Sequence, residues 1–324
     1  MRIGIVTPAP PESRYGNRIT ALRWAKILRR LGNRVSILQT YDGQSYDLLL
    51  ALHARKSHSS IIRFQRENLA APIIVALTGT DIYRDIRTNH LAFESLEIAT
   101  RLVVLQPRAI QELQPSLREK TRVIYQSVEV RPSAITKASK VKVRSVGSFD
   151  VCVIGHLRAV KDPFRAAMAA RLLPDSSTVR VVQVGGAMTA GMATRACKEM
   201  KANKRYRWLG EQSQPRVRRI LRNSSLCVLS SRIEGGANVL SEAIAASVPI
   251  IASRIDGNVG ILGTDYPGYF DVGDTAQLAR LLIRAETSPA FLAELKRWIN
   301  RRALLVDPAG EEQAWSDLID ELSD

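Results

Sequence analysis

The chain has 324 residues, 45% of them hydrophobic and 24% charged, an ordinary globular balance that at roughly 100 to 200 residues per domain predicts two domains with proper cores. Its 47 Lys and Arg against 31 Asp and Glu give a formal net charge of +16, which points to anionic partners in general without choosing one. No apolar run approaches the about 18 to 20 residues of a membrane span, and the basic residues are dispersed without zinc spacing or aromatic interleaving, which argues against integral membrane placement and against nucleic acid.

In chain order, short apolar runs alternate with amphipathic helices, the pattern of parallel βαβ units. A strand at 2–6 leads into the Pro- and Gly-rich loop Thr7-Pro8-Ala9-Pro10-Pro11 through Gly16-Asn17. The opening run is too short for a signal peptide and reads as a first strand, so a cytoplasmic location is expected. A helix follows, with Trp24, Ile27, Leu28 and Leu31 on one face and Gly32 at its end; Trp24 is assigned to the core. Strands are predicted at 35–39, 48–52, 73–77, 102–105 and 123–125, completing a first doubly wound half at 1–130. The segment 131–148 holds Pro132 and the cations Arg131, Lys137, Lys140, Lys142 and Arg144, and reads as a linker. A second doubly wound half at 149–324 is predicted from strands at 150–154, 179–184, 206–209, 226–230 and 249–252. Helices from Thr275 onward break near Pro289 and Pro308, and the last of them can pack back on the first half. The scattered Cys152, Cys197 and Cys227 show no metal-type spacing and read as small core residues.

The chemistry concentrates after the strands of the second half, where open parallel sheets bind ligands. Glu234 and Glu242 frame Gly235, Gly236, Ala237, Asn238, Val239, Leu240 and Ser241. A glycine pair opening a helix leaves backbone N–H groups for an anion, and the helix N-terminus favours negative charge. Asn238 and Glu242, four apart, share a helix face, so Glu242 can accept hydrogen bonds from vicinal hydroxyls beside a phosphate. Glu234, on the loop before the helix, can reach a second polyol. A nucleotide sugar supplies all three parts; the plainer alternative is a solvated Glu242 and a Glu234 that complements the helix dipole. Earlier, Gly155-His156-Leu157-Arg158 and Lys161 set a glycine turn before two cations fit for a diphosphate. Gly185-Gly186 and Ser230-Ser231-Arg232 follow later strands.

Taken together, the two halves, the glutamate motif and the Gly155 to Lys161 loop resemble the two-Rossmann-domain retaining glycosyltransferases of the GT-B fold, in their family-4-like branch, over essentially the whole chain. The resemblance implies an α/β fold of two Rossmann-like doubly wound parallel-sheet domains facing across a cleft. It implies that the first domain takes the acceptor and the second a UDP-sugar. It further implies that Glu234 contacts sugar hydroxyls, that Glu242 holds the ribose, and that backbone groups at Asn238, Val239 and Leu240, with Arg158 and Lys161, hold the diphosphate and stabilise its departure. The chain departs from the pattern in two places. His156 stands where many relatives have Arg, leaving open which cation grips the phosphate. After the fourth strand, Thr78-Gly79-Thr80-Asp81 replaces a common histidine.

A narrower similarity is carried by Thr7-Pro8-Ala9-Pro10-Pro11, Gly16-Asn17-Arg18, Ala51-Leu52-His53-Ala54-Arg55, Leu77-Thr78-Gly79-Thr80-Asp81 with Tyr83-Arg84-Asp85, and Val104-Leu105-Gln106-Pro107. These look like the selenosugar synthases of selenoneine biosynthesis, which implies selenophosphate as nucleophile, a UDP-hexose such as UDP-N-acetylglucosamine as donor and a 1-seleno sugar as product. An alcohol acceptor must lose a proton during attack, whereas an ionised nucleophile needs no base. The first half suits a small anion: Gly16, Asn17 and Arg18 open a helix, with Arg14 near, and Arg55 and Lys56 follow the third strand. His53 orients the acceptor, donates a proton or is structural. Asp81 orients a cation such as Arg84 or caps a helix. Thr78 and Thr80, around Gly79, donate hydrogen bonds or shape a turn; Gln106, Tyr125, Gln126 and Ser127 are weaker candidates. No Asp-X-Asp motif is present, so no obligatory metal is expected, which leaves weak magnesium association open. The alternatives are a family-4-like transferase acting on a saccharide or lipid hydroxyl, and a non-catalytic nucleotide- or RNA-binding module. An oxidoreductase is disfavoured because the first strand leads into Thr7-Pro8-Ala9-Pro10 rather than a dinucleotide-binding glycine turn.

Overall fold

Aliphatic runs with almost no polar residue form strands buried on both faces, the signature of a parallel sheet covered by helices. The computed structural model describes residues 1–129 and 147–322. The expected linker at 131–148 and its five cations lie outside the described residues, except for Gly147 and Ser148. Two compact units form, one of residues 1–127, 234–238 and 307–324, the other of residues 128–233 and 239–306.

The first unit holds β1 (Arg2–Val6), β2 (Arg34–Leu38), β3 (Leu48–Leu52), β4 (Ile73–Leu77), β5 (Arg101–Val104) and β6 (Thr121–Val123) in the order β2-β1-β3-β4-β5-β6, all parallel. Every residue of β3 and β4 is buried. Alternate side chains feed two cores: Leu49, Ala51, Val75 and Leu77 pack with Ile61 and Phe64 on one face, while Leu48, Leu50, Leu52 and Ile74 pack with Trp24 and Leu28 on the other. The second core also takes Trp315, Leu318 and Ile319 from the helix Pro308–Asp320, with the Trp24 and Trp315 rings edge to face at 4.9 Å.

The same helix brings in Glu311, a buried carboxylate that accepts from Trp24 Nε1 (2.7 Å), Arg23 Nε (3.2 Å), Ser127 N (2.9 Å) and Ser127 Oγ (2.5 Å). Four donors satisfy it, which is the condition for keeping a charge inside. A second clamp at the end of this helix sets Glu321 against Arg101 and Arg122, and the Arg122 hydrogen bond holds its carboxyl below the ordinary range.

The second unit holds β7 (Phe149–Ile154), β8 (Val179–Val184), β9 (Tyr206–Trp208), β10 (Leu226–Leu229), β11 (Ile250–Ser253) and β12 (Tyr269–Phe270) in the order β9-β8-β7-β10-β11-β12, again parallel. Strand boundaries differ from the sequence reading by one or two residues. The two-residue β12 was not expected, being too short to show periodicity. Cys152 and Cys227 are buried neighbours across β7 and β10; their mutual hydrogen bond and burial push the Cys227 thiol well up. Cys197 corrects the expectation of three core cysteines: it is exposed on the helix Ala190–Ala202. Among the described residues no helix is long and apolar enough to cross a membrane.

Candidate functional site

Strand order fixes where each sheet opens. In the second unit the chain winds one way from β7 through β8 to β9 and the other way through β10 to β12, so the loops after β7 and β10 part at a switch point. Gly155 (φ 153°) ends β7 and Gly185 (φ 143°) ends β8. A Cβ on Gly185 would fall on the Gly155 carbonyl, so only glycine permits this approach. Side chains lock the turns: Gln183 Nε2 donates to the Gly155 carbonyl (3.3 Å) and Trp208 Nε1 to that of Gly185 (2.8 Å). Backbone bonds from Gly155 N to Val184 O and Leu157 N to Gly186 O tie the two loops together.

Beyond Leu157 the chain makes a short 3-10 turn, Ala159–Lys161, capped by left-handed Asp162. Ser230, at the end of β10, donates its hydroxyl to the Lys161 (3.2 Å) and Asp162 (2.8 Å) carbonyls. Arg232 N donates to Val160 O at 2.8 Å. The Asp162 carboxylate takes Arg165 at 2.9 Å and Arg232 at 3.5 Å. Loops after β7 and β10 are therefore one construction. Lys161 runs beside Gly155, whose added Cβ would lie 3.9 Å from Lys161 Cδ, whereas Arg158 is exposed before the turn.

The glutamate motif is divided by its packing. Glu234, Gly235, Gly236, Ala237 and Asn238 belong to the first unit, and Val239, Leu240 and Glu242 to the second. The helix Asn238–Ala245 buries Val239, Leu240, Ser241, Ala243 and Ile244 and leaves Glu242 half-buried. The glycine pair precedes that helix by a residue rather than opening it, and close packing gives it a further reason to be glycine. A Cβ at Gly235 would lie 2.6 Å from the Thr78 carbonyl carbon and 2.8 Å from Gly79 N, and one at Gly236 2.8 Å from Leu105 Cβ. Asn238 Oδ1 accepts from Arg23 Nη1 at 3.0 Å.

In the first unit the switch point lies between β1 and β3. The helix Gly16–Arg30 starts behind Tyr15, with no side-chain cap and no acid in its first turn, so no acid of that turn complements its dipole. Arg14 is exposed and Asn17 half-buried beside Gly16, while Arg18 carries a buried Nε without a partner among the described residues. His53 follows β3 in a left-handed conformation (φ 75°). Its Nε2 is 3.3 Å from Thr80 Oγ1, and Asp81 and Asp85 lie 3.9 and 3.8 Å from its ring nitrogens. Burial outweighs both carboxylates and pushes the His53 pKa down, which keeps the ring neutral at neutral pH.

Asp81 corrects the sequence reading. It does not orient Arg84: its oxygens accept from the backbone N–H groups of Gly79 (2.8 Å), Ala54 (3.2 Å) and Thr78 (3.3 Å), joining the loops after β3 and β4. The cations go to Asp85, which accepts from Arg55 Nε (2.8 Å) and Arg84 Nε (3.1 Å). Burial alone would raise the Asp85 carboxyl, but these two bonds outweigh it and hold it low. Sequence reasoning misses this role of Asp85, because the single π-turn Asp81–Asp85 that presents it has no sequence signature. Gln106, Gln126 and Ser127 take structural bonds to Tyr83, Thr20 and Glu311. Among the described residues no group of three or more His, Cys, Asp or Glu is placed to hold a metal ion.

The chain has known relatives. The family model for glycosyl transferases group 1 matches residues 135–322. A Xenopus tropicalis protein, glycosyltransferase 1 domain-containing protein 1, is 24% identical over 88% of this chain and 89% of its own length. The Escherichia coli UDP-Gal:alpha-D-GlcNAc-diphosphoundecaprenol alpha-1,3-galactosyltransferase is 25% identical over 82% of this chain and 73% of its own. Among solved structures, Anabaena HepE in complex with UDP-glucose superposes with a TM-score of 0.78 at 15% identity, covering 99% of this chain and 100% of that one. With a family match over more than half its length and two six-stranded parallel sheets of the GT-B kind, the chain belongs to the glycosyl transferases group 1.

Proposed function

We propose that this glycosyltransferase moves a hexose, with N-acetylglucosamine first among candidates, from a UDP-sugar to selenophosphate. UDP-sugar as donor is supported by the relatives, one named for UDP-Gal and one bound to UDP-glucose. On the donor side, Gly155 and Gly185 let backbone approach the diphosphate, Lys161 and Arg158 neutralise it, and amides from Gly235 to Leu240 supplement them. Glu242 accepts from the ribose and Glu234 from the sugar hydroxyls. On the acceptor side, Arg14, Arg18, Arg55 and the start of the helix Gly16–Arg30 hold the anion, with Thr78, Gly79 and Thr80 as hydrogen-bonding neighbours.

The observation that carries an ionised acceptor is the engagement of Asp81. The carboxylate after β4 is spent on three backbone amides, so it is committed to structure and not to accepting a substrate proton. Selenophosphate needs no such base. Its selenium forms a bond to C1 of the sugar as the C1–O bond breaks, and UDP leaves with the electron pair. Hydrolysis of the Se–P bond by water then releases phosphate and the 1-seleno sugar.

A second reading, transfer to a hydroxyl acceptor, is favoured by one feature: neutral, buried His53 can itself take a proton. The two part when the protein is incubated with UDP-N-acetylglucosamine, UDP-glucose or UDP-galactose and either selenophosphate, thiophosphate, phosphate or a simple alcohol. UDP release is expected to require selenophosphate; release indifferent to it sinks that assignment. Lys161→Ala and Glu242→Ala are expected to weaken UDP binding by about ten-fold each, and equal affinities in calorimetry would sink the donor site.

A further inference from the structure

Asp85 holds two guanidinium groups, one on each carboxylate oxygen. Arg55 and Arg84 each reach it through Nε alone, Arg55 on Oδ2 and Arg84 on Oδ1. Other arginines divide between two grips: Arg171 sets Nε and Nη2 on Glu199 and Arg180 does the same on Asp150, whereas Arg63 meets Glu67 and Arg23 meets Glu311 through Nε. Gripping by Nε leaves the terminal amino groups of Arg55 and Arg84 for a second anion, and their side chains are 38% and 54% exposed while Asp85 is buried. Two guanidiniums on one carboxylate also leave a net positive charge. We propose that Arg84 joins Arg55 in a two-guanidinium seat for the tetrahedral oxyanion of the acceptor, with Asp85 as the positioning residue that holds both.

The seat rests on the reading of the first unit as the acceptor side and adds Arg84 and Asp85 to it. A planar guanidinium presents paired N–H groups that match phosphate oxygens, and fixing Nε beforehand removes part of the ordering cost of binding. Asp85 is itself fixed by the Asp81–Asp85 turn, whose Asp81 is bonded to the loops after β3 and β4.

Calorimetric titration of thiophosphate into the full chain saturated with UDP tests this. Arg84→Gln and Asp85→Asn are expected to bind thiophosphate about ten-fold more weakly than wild type, with UDP affinity unchanged and with part of the loss recovered in Asp85→Glu. A role confined to stability would leave the thiophosphate affinity of the folded variants intact. Equal affinity in wild type and Arg84→Gln, whose site is exposed enough to spare folding, overturns the seat. Thiophosphate binding that depends on Arg84 while selenophosphate elicits no UDP release supports the seat and overturns the choice of selenophosphate instead.

Discussion

The two switch points share a topology and differ in what lines them. Between β7 and β10 the walls are backbone: two glycines at positive φ in mutual contact, carbonyls held by Gln183, Trp208 and Ser230, and a lysine laid along the turn. Between β1 and β3 the walls are side chains, with buried Asp81 and Asp85 organising amides, arginines and His53. A backbone-lined crevice lets a chain of phosphates lie close along its length, whereas clamped guanidiniums suit a compact ion. On the proposed reading, one fold offers two anion-binding solutions, one resting on the absence of Cβ atoms and the other on carboxylates removed from water.

The sharpest way to break that comparison is Gly185→Ala. With a strained φ and a carbonyl in its path, the added methyl should cost about 4 kcal/mol. Hydrogen exchange should rise in β7 and β8 and stay unchanged in β1 and β3; uniform change would mean that the two linings are not separate constructions. A smaller effect is expected from Glu311→Gln. The amide keeps the shape but turns a donor toward Ser127 or Trp24, at about 2 kcal/mol, and urea unfolding of the first unit should report it.

The smallest effect is a pH dependence. The folded His53 pKa lies below its ordinary 6.5, so between the two values the unfolded chain binds the extra proton, and stability rises with pH through that window. The contribution is complete above about 6.5 and is lost as pH falls toward the folded value. Asp85, also held low, acts with the same sign further down, its contribution lost as pH falls from about 3.9 through its folded value. Urea midpoints at pH 7.5 and 5.5 should therefore fall more in wild type than in His53→Asn, a residue that tolerates the left-handed backbone. Equal shifts would mean that burial does not hold the imidazole neutral.

Sequence alone determined the two parallel sheets, because β3 and β4 are unbroken aliphatic runs and the helices Thr275–Thr287, Pro289–Asn300 and Pro308–Asp320 are punctuated by prolines at 289 and 308. It also pointed to Gly155, Lys161 and the paired glutamates, since glycine turns and like charges after strands are local patterns. Only the tertiary structure decided how buried charges are partnered. Asp81 could not be told from Asp85 by spacing, because which carboxylate meets amides and which meets arginines depends on loops after β3 and β4 coming together. Nothing local distinguishes Glu311 from the other acids of its helix; burial against Trp24, Arg23 and Ser127 makes it a four-donor hub. Local periodicity records which face of an element avoids water; the partner of a buried charge is set by residues far away in the chain, and the fold alone brings them within hydrogen-bonding distance.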